Sequence, residues 1–293
     1  MGYLKEDNRT SQIQQDLRKL LAASRKKLLT SVVCATIVCT TFTVLAQNTG
    51  DSLTTSGILA LTTSGSALFL SLTVIARQKV KGLFPRLYAS LGVTLALWFA
   101  AEAIWVYYEL GLGIETPFPS IADALWLGGY IPFFYFLYGI LKNFLGISRS
   151  LIFPLLPIGA VGFVLLGNIL MSIYQDAELT SQSGVVSYII GSAYPVADMF
   201  MIIPAVAVFA QLRKGLLTFT PWFLIVIAMF AFIVGDIGFA YSALIEGMED
   251  LFWLWNPLYN LAYIAIASSL FWHKSFFTVD EKKELRIWQE KNK

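Results

Sequence analysis

Eight apolar runs of roughly 20 residues constrain this chain more than any other feature. They cover approximately 29–47, 54–76, 87–110, 120–141, 151–173, 184–210, 217–243 and 252–273. At about 1.5 Å per helical residue, each is long enough to cross ~30 Å of hydrocarbon. Only 14% of the 293 residues are charged and 57% are hydrophobic, whereas roughly a quarter of a soluble protein is charged, so lipid is the natural solvent. The reading is an all-α integral membrane protein with eight transmembrane helices. Residues 1–28 are polar and lack the apolar centre and small-residue cleavage site of a signal peptide, which leaves the first span as the expected insertion signal.

The charges fix an expected orientation. All 21 Lys and Arg fall on one side of the eight-span arrangement: before span 1, or in the segments after spans 2, 4, 6 and 8. The alternate loops are acidic, carrying Asp51, Glu109, Glu115, Asp176, Glu178, Glu246, Glu249 and Asp250. The positive-inside rule then puts both termini in the cytoplasm of a multi-pass cell-membrane protein. The basic face is expected against anionic lipid and gives no indication of nucleic-acid binding. Within 1–28, Ile13, Leu17, Leu20 and Leu21 follow helical spacing beside Arg18, Lys19, Arg25, Lys26 and Lys27, as in a basic amphipathic interfacial segment. Residues 274–293 form a charged tail, with Thr278 and Glu281 in capping-box spacing for one short helix.

Internal similarity divides the apolar region into two four-helix repeats, 29–142 and 151–273. Arg77–Gly82 (RQKVKG) parallels Ala210–Gly215 (AQLRKG), Glu102–Tyr107 (EAIWVY) parallels Asp236–Tyr241 (DIGFAY), and Asp123, Trp126 and Tyr130 parallel Asn256, Tyr259 and Tyr263. A repeat with an even number of spans inserts both copies in the same orientation, about a pseudo-two-fold axis along the membrane normal. Short loops favour antiparallel neighbours within each repeat. Pro132, Pro154, Pro157, Pro195, Pro204 and Pro221 fall within or at the start of spans, where ordinary helix bending accounts for most of them.

Four acids lie within the spans: Glu102, Asp123, Asp198 and Asp236. An ionisable group in the bilayer costs roughly 2.5–3.5 kcal/mol on insertion scales, so it marks a site or a buried partner. Helical spacing sets Trp98, Glu102, Trp105 and Glu109 on one face of span 3, and Asp123, Trp126 and Tyr130 on one face of span 4. Span 6 presents Ser187, Gly191, Tyr194 and Asp198, and span 8 presents Asn256, Tyr259, Asn260 and Tyr263. The expected product is an outer-half acidic and aromatic chamber whose ligand-binding residues are Glu102, Trp105, Asp123, Tyr130, Tyr194, Asp198, Asp236, Asn256, Asn260 and Tyr263. Such a lining suits a cation, an amine, a sugar or a redox-active ring. The structural alternative is an aromatic belt with a polar network holding helices together. For Asp123 the sequence favours a helix N-terminus, because Ser120 precedes it in N-cap spacing.

Catalytic and metal sites find little support. His273 is the only histidine, which removes His-rich zinc sites. Cys34 and Cys39 are the only cysteines, and five residues apart on one helix they cannot pair with each other. Neither a nucleotide loop, a Ser-His-Asp set nor a haem motif is recognisable, and the cofactor is left unknown.

The stretch Trp98–Tyr130, with its W..YE, P.PS.AD and GY elements, together with Ala193–Asp198 (AYPVAD) and Gly235-Asp236, resembles the multi-pass membrane input domain found ahead of diguanylate cyclase, phosphodiesterase and some histidine kinase modules in prokaryotes. The likeness extends over roughly spans 2–8. It implies a sensory function, with Glu102, Asp123, Asp198 and Asp236 as motif positions. The tail after span 8 is expected to be too short for a catalytic output domain, so output would come from a cytoplasmic signalling partner. The leading expectation is a stand-alone sensory or receptor-like module that takes a small ligand from the outer side. Its rivals are a cation- or proton-coupled transporter using the same acids, an intramembrane lipid hydrolase resembling the eight-span lysoplasmalogenase type with Glu102 and Asp236 as acid and base, and a structural subunit of a membrane complex.

Overall fold

The computed structural model describes residues 2–77, 83–114, 117–145, 149–176, 182–215, 217–245 and 247–276, and among them the regular structure is all helix, without strands. The helices are α1 (Gly2–Thr49), α2 (Ser52–Arg77), α3 (Leu83–Val106), α4 (Ile121–Ile140), α5 (Arg149–Asp176), α6 (Gln182–Leu212), α7 (Phe219–Leu244) and α8 (Asn256–Phe276). Wider turns extend α3 through Tyr107–Gly111 and α4 through Leu141–Leu145, and a tighter 3-10 turn at Glu249–Leu254 leads into α8. Among the described residues, α1 to α7 are long and apolar enough to cross a membrane, and the protein is a multi-pass membrane protein. α8 has the length, at 21 residues, but is more polar, and the reason lies in where it packs.

Six helices close a ring in the order α2, α3, α4, α6, α7, α8 and back to α2. α1 lies outside the ring against α8 and α2, and α5 lies outside it, mainly against α6. A ring helix meets neighbours on both flanks and the bundle interior on a third side, so α8 can carry Asn260, Tyr263, Ser269 and His273 without exposing them to lipid; all four are buried. Peripheral helices have no such shelter. Val33, Ile37, Phe42 and Leu45 of α1 and Phe153, Leu156, Val161 and Val164 of α5 are exposed, as an apolar solvent permits.

Local chemistry sets the helix ends around the ring. Gly50, at φ +80°, stands in the left-handed region that a side chain disfavours and ends α1 before the turn into α2. At the start of α4, Ser120 accepts from the Ala122 N–H at 3.2 Å while its own N–H donates to Asp123 Oδ2 at 2.6 Å: the sequence spacing anticipates an N-cap here, and the structure makes it a reciprocal capping box. α2 turns small residues inward, with Gly57, Thr63, Ser64, Ala67 and Ser71 buried, which lets its neighbours approach closely. The half of the bundle nearer Arg77 and Lys274 is filled by Leu87, Tyr88, Leu91, Phe136, Trp222, Met229, Leu270 and Trp272, all buried.

One expectation differs from this picture in detail. Residues 1–28 are not separated from the first span: no Gly or Pro interrupts the helix between Gly2 and Thr49, and α1 continues unbroken for about 72 Å at 1.5 Å per residue. Leu21 is buried, while Leu17 and Leu20 are exposed. The short helix expected over 278–293 lies outside the described residues. Cys34 is exposed and Cys39 buried, both free, in keeping with their different helix faces.

Candidate functional site

The ring is not filled along its whole length. At the end formed by the C-termini of α1, α3 and α7 and the N-termini of α2, α4 and α8, it encloses a chamber of about 700 Å³. Nine of the ten residues expected to bind ligand line it: Glu102, Trp105, Asp123, Tyr130, Tyr194, Asp236, Asn256, Asn260 and Tyr263. The tenth, Asp198, is fully buried behind the wall and is joined to the lining through Tyr130. Among the described residues, no Lys or Arg lines the chamber.

The acids are held by tyrosines from other helices of the ring. Tyr263 on α8 donates to Glu102 Oε1 on α3 at 2.9 Å, and Tyr259, one turn earlier on α8, donates to Asp236 Oδ1 on α7 at 2.8 Å. Tyr130 on α4 donates to Asp198 Oδ1 at 2.7 Å, with Asp236 Oδ2 also near its hydroxyl at 3.3 Å; one hydroxyl hydrogen makes the shorter contact the principal one. Tyr194 on α6 donates to Asp123 Oδ1 at 2.6 Å. Asp123 therefore serves two structures, the α4 cap through Oδ2 and the chamber wall through Oδ1. The Asp198 carboxyl also lies against that of Asp236, so the two acids form one buried pair at the base of the site.

Aromatic rings complete the walls. Trp98 forms the floor, edge-on to Tyr130, Phe133 and Phe232 at centroid distances of 5.7, 5.7 and 5.1 Å, with its indole N–H donated to the Trp126 carbonyl at 2.9 Å. Nearer the mouth, Trp105 lies 5.6 Å from Trp126 and 6.2 Å from Phe239, and Phe239 continues to Phe118 at 5.2 Å and Phe252 at 5.4 Å. The Trp105 N–H is donated to Glu109 at 2.7 Å, which fixes the rim. Amides and hydroxyls on the α2–α8 side pair as Thr63 to Asn260 at 2.9 Å and Asn256 to Ser56 at 3.0 Å. Ser187 donates to the Phe118 carbonyl at 3.2 Å and so positions a lining loop without lining the chamber itself.

Phe118, Phe232, Phe239 and Phe252 were not among the expected site residues, because a Phe in an apolar run carries no signal by itself. Spacing carries one. Trp98 and Phe232, Trp105 and Phe239, and Phe118 and Phe252 are each 134 residues apart, the same offset that relates Glu102 to Asp236.

Compared with protein-family models, curated proteins and solved structures, the chain matches none. Its chemistry is therefore read from the chamber: carboxyls, aromatic faces around them, and among the described residues no group of three or more His, Cys, Asp or Glu placed to hold a metal ion.

Proposed function

We propose that this protein is a membrane sensory or receptor-like module of eight spans, with both termini cytoplasmic, that binds a small ligand in the outer-end chamber and relays occupancy to a cytoplasmic partner. One observation carries the reading: residues from seven helices, scattered between Gln47 and Tyr263, converge on a chamber of about 700 Å³, within the size range of small-molecule sites. A network that served only to hold helices together would fill this space. α1 supports the relay, because Gln47 lines the chamber and the same helix runs without a break to the opposite face.

The proposed duplication has support of the same kind. Exchanging α1–α4 for α5–α8 maps the ring order onto itself and turns the α1–α2 contact into the α5–α6 contact; among the described residues, the α1–α8 contact has no counterpart of comparable extent between α5 and α4. The pairing of Tyr263 with Glu102 becomes that of Tyr130 with Asp236. The proposed orientation rests on the segregation of charge, since Arg77 reaches the Lys274 carbonyl at 2.8 Å at the end away from the chamber.

The test uses single cysteines in a background lacking Cys34 and Cys39. Ser56→Cys, in the chamber wall, should react with a membrane-impermeant maleimide from the outer side only. Spin labels at Ala23 and Lys214 should then report a displacement of α1 of about 1–2 Å, the usual scale of a signalling helix shift, once the chamber is blocked. Reaction of Ser56→Cys from the inner side in any state would favour the transporter, and an unmoved α1 would leave the chamber without an output.

A further inference from the structure

The hydrogen bonds of the chamber are directed inward upon themselves, and this restricts what can enter. A tyrosine hydroxyl has one hydrogen to give. Tyr130, Tyr194, Tyr259 and Tyr263 each give theirs to a carboxyl of the protein. The indole N–H groups of Trp98 and Trp105 are likewise committed, to the Trp126 carbonyl and to Glu109. What the wall presents to a guest is therefore mostly lone pairs, carboxyl oxygens and π-faces. A phosphate or carboxylate would be repelled by the carboxyls, although Gln47, Ser52, Ser56, Asn256 and Asn260 also bring amide and hydroxyl donors to the lining. A metal ion finds no three-ligand group among the described residues.

Resting on the chamber reading above, we infer that the ligand is a small organic ammonium ion, its N–H groups on the carboxyls of Glu102 and Asp236 and its carbon skeleton against the faces of Trp105, Trp126 and Phe239. Opposite charge supplies attraction in a space shielded from water, and the ring faces are electrostatically matched to a cation. The aromatic collar lies between the mouth and these carboxyls, so it meets the apolar part of an ammonium ion whose charged end leads. Size is compatible as well: about 700 Å³ accommodates a mono- or bicyclic amine.

Calorimetric titration of the purified full chain in nanodiscs tests this with three probes of one shape: 2-phenylethylammonium, the neutral 2-phenylethanol and the anionic 3-phenylpropanoate. The ammonium ion should bind at least about 10-fold more tightly than the alcohol, and the anion should not bind. Glu102→Gln and Asp236→Asn should each weaken the ammonium ion by about 10- to 100-fold, the fold-change expected for losing a charged hydrogen-bond acceptor, and leave the alcohol unchanged. Both amides keep an oxygen for Tyr263 or Tyr259, so the fold is retained, and thermal unfolding of each variant verifies it. Equal or tighter binding of the alcohol or the anion, abolished by Trp105→Ala, would overturn the ammonium assignment and leave the chamber reading standing. Binding of none of the three would also overturn it, while the chamber reading is judged separately by outside labelling of Ser56→Cys.

Discussion

α5 and α8 are both of membrane-crossing length, at 28 and 21 residues, and they invert each other's composition and burial. α5 is apolar and turns much of its surface outward, with Phe153 77% exposed. α8 carries two asparagines, three aromatic residues with polar atoms and a histidine, and it buries most of them. Their difference teaches that in a bilayer hydropathy reports which surface meets lipid, and not which helix belongs to the bundle. A helix enclosed by neighbours has no need to be apolar, since its polar groups find partners across the ring.

The contrast can be broken most severely at large side chains. Trp272 on α8 is 1% exposed, donates to the Leu217 carbonyl at 2.9 Å and packs against Phe276. Trp272→Ala should cost about 3–5 kcal/mol, as emptied aromatic sites do, and lower the thermal unfolding midpoint in detergent markedly. Phe153→Ala on α5 should stay within about 0.5 kcal/mol of the parent. Equal losses at the two positions would mean that α5 is covered by protein and not by lipid.

Glycines give a smaller version of the same test. A Cβ on Gly129 of α4 would strike the indole of Trp98, whereas one on Gly167 of α5 would meet nothing within 4 Å. Gly129→Ala should destabilise by about 1–3 kcal/mol through overpacking and disturb the chamber floor, which the unfolding midpoint and phenylethylammonium titration would both register. Gly167→Ala should be neutral or stabilising by up to about 1 kcal/mol, the difference in helix propensity. A destabilised Gly167→Ala would place a partner against α5.

These same residues explain what was legible beforehand. The apolar runs located every helix to within a few residues apart from the N-terminus, where the polarity of residues 1–28 suggested a separate segment although nothing in them ends a helix. Acids in apolar sequence flagged Glu102, Asp198 and Asp236, because charge there demands a partner. Helical spacing alone could not tell that Asp198 sits behind the wall while Asp236 lines it: both occupy inward faces, and depth depends on how α4, α6 and α7 pack together. Nor could it find Phe239 or Phe252, whose only sequence signal is the offset of 134 from Trp105 and Phe118.

The smallest effect expected is the most informative about why α8 is polar. Asn260 accepts from Thr63 of α2 at 2.9 Å, and Thr63 also lies 2.9 Å from the Leu59 carbonyl of its own helix. Its single hydrogen therefore has a second acceptor if Asn260 is lost, so the bond between helices should be worth little. A double-mutant cycle with Thr63→Val and Asn260→Leu should give a coupling of about 0.6 kcal/mol, the average for hydrogen bonds between membrane helices. On α5, Asn168 donates only to the Val164 carbonyl of its own helix at 2.7 Å, on an exposed face, and Asn168→Leu should leave stability unchanged or raised. A coupling well above about 1.7 kcal/mol, the largest of its kind, would make the α2–α8 contact a structural clamp. A small coupling together with weakened phenylethylammonium binding in Asn260→Leu would instead assign the polarity of α8 to the chamber, because the amide would then matter to the ligand more than to the fold.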